Sequence, residues 1–134
     1  MSTVHKSVFV IIILFNFYQE ALTQSTTELQ KLVASDRAST DFFGFSVSID
    51  GDYAIAGAYN EDEDASRSNT VVNAGSAYIF KLLQDGSWQQ EAKLVASDRS
   101  SGDFFGSAVA ISGDYAIVGA HNEDEDVVGD NTIN

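Results

Sequence analysis

The chain contains no cysteine, which excludes a disulfide frame and any thiolate metal site. Basic residues are few: Lys and Arg number 7 against 20 Asp and Glu, giving a net charge of -13. Such a chain repels phosphate backbones and anionic membrane surfaces, so nucleic acid is not an expected partner. Histidine is scarcer still. His5 lies near the N-terminus, and His121 corresponds to Tyr59 in the internal repeat described below, so no repeated Ser-His-Asp or metal-His arrangement exists. Carboxylates are plentiful, but in runs without an apolar pocket nothing divides them into acid and base. No catalytic residue is expected, and the chain is read as non-enzymatic. Long apolar runs are also missing. Val8 to Phe15 is about half of the roughly 20 residues that a membrane helix needs, and small residues follow at Ala21 and Thr23. Residues 1–23 therefore read as a signal peptide cleaved near Thr23, with no membrane span afterwards and a secreted or extracellular-surface location.

What the chain does have is a repeat. Residues 31–72 return as residues 93–134, a shift of 62 without a gap, and 28 of the 42 aligned pairs are identical. Lys31-Leu32-Val33-Ala34-Ser35-Asp36-Arg37 reappears from Lys93 to Arg99, and Asp41-Phe42-Phe43-Gly44 from Asp103 to Gly106. A long period of this kind indicates an array or a propeller. At 44% hydrophobic residues the region can build a core, and residues 24–134 are read as a repeat region, with repeat 1 at about 27–86 and an incomplete repeat 2 at about 87–134.

Four segments of each period carry strand signals. Phe45 to Ile49 alternates apolar and small polar residues, and Asp50-Gly51-Asp52 turns it into Tyr53 to Ala56. Ser76 to Leu82 is rich in aromatic and branched residues, and Asp85-Gly86 turns it into Trp88 to Val95. Trp88 thus falls on an outer strand. Ser46 and Ser48 become Ala108 and Ala110, whereas Val47 and Ile49 become Val109 and Ile111, so branched residues hold one face and small residues the other. A face of small residues suits a neighbouring sheet that approaches closely. The expected fold is all-β: antiparallel four-stranded blades of a β-propeller, about two present and the second incomplete. No helix is expected, since glycines recur roughly every ten positions and mark turns.

Phe43-Gly44 with Gly57-Ala58-Tyr59, and Phe105-Gly106 with Gly119-Ala120-His121, keep a Gly-to-Gly spacing of 13 in both copies. In these marks the chain resembles the FG-GAP repeat family of integrin-alpha-like propellers. The resemblance implies an extracellular propeller used for binding or adhesion, with an extracellular protein or glycan as partner. Structural spacer repeats of a larger surface protein, or the non-catalytic propeller part of a secreted polysaccharide-active enzyme, are the other roles it accommodates. Two features depart from the family. Tyr59 and His121 occupy the Pro place of Gly-Ala-Pro, in a chain without proline. The calcium loop that integrin-type repeats carry between these marks is replaced by a tight turn, as in a short-turn subgroup for which metal binding is not inherited.

The strongest polar feature follows. Asn60-Glu61-Asp62-Glu63-Asp64 and Asn122-Glu123-Asp124-Glu125-Asp126 place four acids in five residues directly after a strand. In an extended chain, alternate side chains share a face, so Asn60, Asp62 and Asp64, and likewise Asn122, Asp124 and Asp126, would converge. Oxygens at first, third and fifth positions are how calcium loops begin, and Ca²⁺ is the one cofactor these residues suggest. The turn glycine expected next is Ala65 or Val127, and Val71 stands at the twelfth place, so a solvated acidic loop remains the other reading. Phe42, Phe43, Phe104 and Phe105 read as blade core, and Asp36-Arg37 as an exposed pair of little energetic weight. Two blades leave both terminal faces uncovered, so further repeats or self-association are expected to complete the fold.

Overall fold

The strand signals translate into six strands in a computed structural model that describes residues 28–124. The expected signal segment, and Glu125 and Asp126 of the second acidic run, lie outside the described residues. The chain separates into two units, Met1–Lys31 and Leu32–Asn134, and every strand belongs to the second.

Strands β1 (Ser46–Asp50), β2 (Tyr53–Ala58), β3 (Ser76–Leu82) and β4 (Trp88–Leu94) form one antiparallel sheet in the order β1-β2-β3-β4. Strands β5 (Phe105–Ser112) and β6 (Tyr115–Ala120) form a second. This is one complete four-stranded blade followed by the inner hairpin of the next. In each hairpin the last paired residues, Asp50 with Tyr53 and Ser112 with Tyr115, leave a two-residue turn. Its first residue is Gly51 (φ 55°) or Gly113 (φ 52°), a left-handed backbone that glycine supplies without steric penalty.

Residues opposite one another in an antiparallel pair share a face, and this divides the first blade. Ala56 pairs with Tyr78 and Ala54 with Phe80, and these side chains form the front face. Ala34, Ala56, Ala58, Tyr78 and Phe80 are its buried core, covered by Leu32 and Phe43 of the chain that leads into β1. Trp88 packs against this cluster from the outer strand, half-exposed as its position predicts. Ser46, Ser48, Ile55 and Gly57 lie on the back face, and there β5 crosses β1 and β2.

The junction between blades is closest at glycine. A Cβ built on Gly57 would collide with the Gly106 carbonyl oxygen, and one built on Gly106 (φ 92°) would collide with the Ser76 carbonyl oxygen. The small back face is therefore a condition for blade-to-blade contact. Polar bonds fix its register: the Ser46 hydroxyl donates to the Gly106 carbonyl (2.7 Å), and the Ile111 N–H donates to the Ser48 hydroxyl (3.2 Å). At the turn, the Gly113 N–H donates to Asp50 Oδ2 (2.7 Å).

Candidate recognition surface and buried charge cluster

The chain enters β1 and leaves β2 at the same end of the blade, so residues 41–45 and 58–60 meet there. The Gly44 N–H donates to the Gly57 carbonyl (2.9 Å) and the Asn60 N–H to the Asp41 carbonyl (3.3 Å). In this bend Phe42 takes φ 55°, and its counterpart Phe104 takes φ 58°. Left-handed backbone is rare for an aromatic residue and costs about 1 to 3 kcal/mol where it occurs. Its consequence is to send consecutive phenylalanines apart. Phe43 turns inward, edge-on to Tyr78 (5.6 Å) and Phe80 (6.0 Å), as expected for blade core. Phe42 does not: it is 54% exposed and stacks on Tyr59 at 5.2 Å and 16°.

The second blade repeats the stack, Phe104 lying on His121 at 4.9 Å and 7°. Tyr59 also meets Phe104 edge-on at 5.7 Å, across the blade junction, and Phe45 edge-on at 4.6 Å. Phe45, Phe42, Tyr59, Phe104 and His121 thus form one continuous row over two blades. The residues that occupy the Pro place of Gly-Ala-Pro, Tyr59 and His121, are the partners that make it. Phe45 is 62% exposed and His121 is exposed, so the row faces solvent.

Beneath this end lies a buried charge cluster. Lys93 Nζ is 2.8 Å from Asp36 Oδ2 and 3.3 Å from Glu61 Oε1, with all three side chains at most 5% exposed. The Tyr78 hydroxyl stands between the same carboxylates, 2.9 Å from Asp36 Oδ1 and 3.0 Å from Glu61 Oε2. The Glu63 N–H donates to Glu61 Oε1 (2.9 Å). The single Tyr78 hydroxyl proton serves one of its two carboxylate neighbours at a time, while Asp36 Oδ2 and Glu61 Oε1 face the Lys93 ammonium. The Asp36 side chain is therefore buried, and only Arg37 of the Asp36-Arg37 pair is exposed as expected.

Burial raises the Asp36 carboxyl, but hydrogen bonds from Lys93 and Tyr78 and the ammonium charge outweigh it, and its pKa ends below the usual value. One ammonium faces two carboxylates, and the surplus is felt at Asp41. Burial, partly offset by the Ala38 N–H, raises its pKa, and the neighbouring Glu61 and Asp62 charges add to the rise. Asp103 of the second blade is raised by burial in the same way, with the Ser100 N–H opposing. An acid with a raised folded pKa destabilises the fold when ionised, so stability grows as pH falls toward the usual carboxylate range. Asp36 acts oppositely, and its contribution is lost once pH drops below that range. Melting temperature should therefore rise from neutral to mildly acidic pH and then fall. Asp41→Asn, which keeps an acceptor for Ala38, should reduce the rise in a melting series across pH.

A turn at Tyr59–Asn60 interrupts the extended path, and Glu61, Glu63 and Asp36 are the carboxylates brought within 4.8 Å of one another. Asp62 Oδ1 accepts the Asn73 N–H (2.6 Å), and its carbonyl accepts Val71 N–H and the Arg99 guanidinium. Asp64 Oδ1 accepts both the N–H and hydroxyl of Ser66 and the Ser68 N–H, while Asn69 donates to Oδ2, which holds the carboxyl far below its usual pKa. These bonds order the loop. Asn60 Oδ1 is buried without a partner. In the second blade Asp124 joins Asp103 and Glu123 within 4.8 Å, and the exposed Asn122 donates its N–H to the Asp103 carbonyl.

The aromatic row and the Lys93 cluster were the parts that sequence reasoning missed. Lys31 with Lys93, Asp36 with Asp98 and Glu61 with Glu123 are charged residues kept in both copies, a signal that this reading left unused. Tyr78→Phe removes the hydroxyl shared by Asp36 and Glu61 and should cost about 1 to 3 kcal/mol in urea unfolding, the usual loss when buried acceptors are left short of a donor. Among comparisons with known proteins, the family model described as FG-GAP repeat matches residues 26–80 and 88–132. No curated protein and no solved structure matches the chain.

Proposed function

The chain belongs to the FG-GAP repeat family, whose repeats build integrin-like β-propellers, and from this we propose that it is a non-catalytic recognition module of a secreted or cell-surface protein. The row Phe45-Phe42-Tyr59-Phe104-His121 is its contact surface. The observation that carries this reading is the repeated left-handed phenylalanine. Phe42 and Phe104 each adopt a costly backbone; Phe42 stands outside the core at 54% exposed, and Phe104 stacks on the exposed His121. Core packing alone is served by Phe43, so the outward ring serves something else.

The chemistry of the row selects its partner. Aromatic faces carry a negative quadrupole, and the whole chain is strongly acidic at -13, so cationic side chains gain from both. Arginine, planar and weakly hydrated, fits between rings better than lysine. The partner class is a basic patch on an extracellular protein.

Titration calorimetry with an arginine-rich peptide, an acidic peptide of equal length and a neutral oligosaccharide tests it. The arginine peptide should bind, more weakly as salt rises, and Tyr59→Ala should weaken binding about tenfold, the equivalent of one lost cation–π contact. Binding of the oligosaccharide alone would move the partner to glycans. No binding by any probe that Tyr59→Ala or Phe42→Ala weakens would overturn the assignment of the row.

A further inference from the structure

A cation already stands among the acids of the first blade. Asp36, Glu61 and Glu63 bring carboxylate oxygens within 4.8 Å of one another, a spacing that Ca²⁺, which holds oxygens at about 2.3 to 2.6 Å, could bridge. The Lys93 ammonium is there instead, 2.8 Å from Asp36 and 3.3 Å from Glu61. It is not a surface arm. Lys93 on β4 pairs directly with Tyr78 on β3, so both side chains leave the same face of the sheet and reach the same two carboxylates, and the Lys93 side chain is 5% exposed.

The oxygens that the sequence offers to calcium are committed elsewhere. Asp62 Oδ1 accepts the Asn73 N–H, and the Asp64 carboxylate accepts from Ser66, Ser68 and Asn69. Of the three, Asn60 alone keeps a buried oxygen without a partner, and one donor is far short of the roughly six to eight that Ca²⁺ takes. Asn60, Asp62 and Asp64 therefore do not fit the ion. The carboxylate trio does not fit it either while Lys93 is present, since an ion entering beside the ammonium meets a like charge at close range in a buried place.

We propose that the Lys93 ammonium is the resident cation of the first acidic run, standing where a divalent ion would otherwise sit. The native blade takes up no calcium, and the turn that carries Tyr59 is held without one. Shortening Lys93 alone opens a divalent-cation site among Asp36, Glu61 and Glu63. This follows from the charge cluster and does not depend on what the aromatic row binds.

Thermal melts of the chain and of Lys93→Ala, in chelator and then in rising calcium chloride at constant ionic strength, test it. The wild type should melt at the same temperature throughout. Lys93→Ala should melt lower in chelator and recover progressively with calcium, as mass action requires of an ion that binds only the folded state. Adding Glu61→Gln to Lys93→Ala should abolish the recovery, whereas a general effect of calcium on a chain of net charge -13 would survive it. A wild type stabilised by calcium, a Lys93→Ala chain that calcium leaves unchanged whether folded or not, or a double variant that still responds would each overturn the proposal.

Discussion

Lys93→Met is expected to lower the unfolding free energy by about 3 to 5 kcal/mol, the typical cost of removing one partner from a buried ion pair. Its ammonium is the basic group buried between Asp36 and Glu61, all three side chains being at most 5% exposed. Arg67 approaches Asp36 only to 3.8 Å and is 52% exposed, so it cannot substitute. Methionine fills the volume of the lysine stem but removes the ammonium that lies 5.5 Å from the Tyr78 ring centroid, so the loss reports charge and not a cavity. Without the ammonium, two carboxylates remain buried beside Asp41, whose pKa is already raised, and the folded state will bind protons more readily than the wild type. Urea unfolding at two pH values checks this: a large loss at neutral pH that shrinks in mild acid is the expected result. A loss below about 1 kcal/mol at neutral pH would match a surface pair and contradict the burial argument.

Gly57→Ala is expected to be nearly as damaging, by about 3 kcal/mol, at the upper end for overpacking. The added methyl would fall on the Gly106 carbonyl, which is backbone and cannot turn aside. The blades would have to separate, and the bonds from Ser46 to Gly106 and from Ile111 to Ser48 would go with them. Gly119→Ala is the matched control at the same place in the second blade. Its new methyl meets only ordinary contact, so its effect should stay within about 0.5 kcal/mol. Equal losses at the two positions would mean that backbone freedom, and not proximity of the blades, explains the glycine.

The strands were legible in the sequence because their signals are local. A two-residue alternation and a Gly-Asp turn are complete within a dozen residues, and β1 to β4 fall where Phe45–Ile49, Tyr53–Ala56, Ser76–Leu82 and Trp88–Val95 place them, within about two residues at each end. The small face was legible too, since Ser46 and Ser48, alanine in the second copy, indicate a close neighbour. The charge cluster was not, because Lys93 reaches Asp36 across 57 residues and from the following repeat. Apolar character cannot separate Phe42 from Phe43; only the left-handed backbone at Phe42 sends one ring out and the other in. The acidic run depended on an extended path after β2, and the turn at Tyr59–Asn60 changed which carboxylates meet.

Continuity of the aromatic row across the blade junction can be read from nuclear Overhauser contacts between assigned rings. Cross-peaks are expected between Tyr59 and Phe104, whose rings meet edge-on at 5.7 Å, together with those of the stacked pairs Phe42–Tyr59 and Phe104–His121. Cross-peaks within each pair but none between Tyr59 and Phe104 would leave two separate stacks on unpacked blades, and would contradict it.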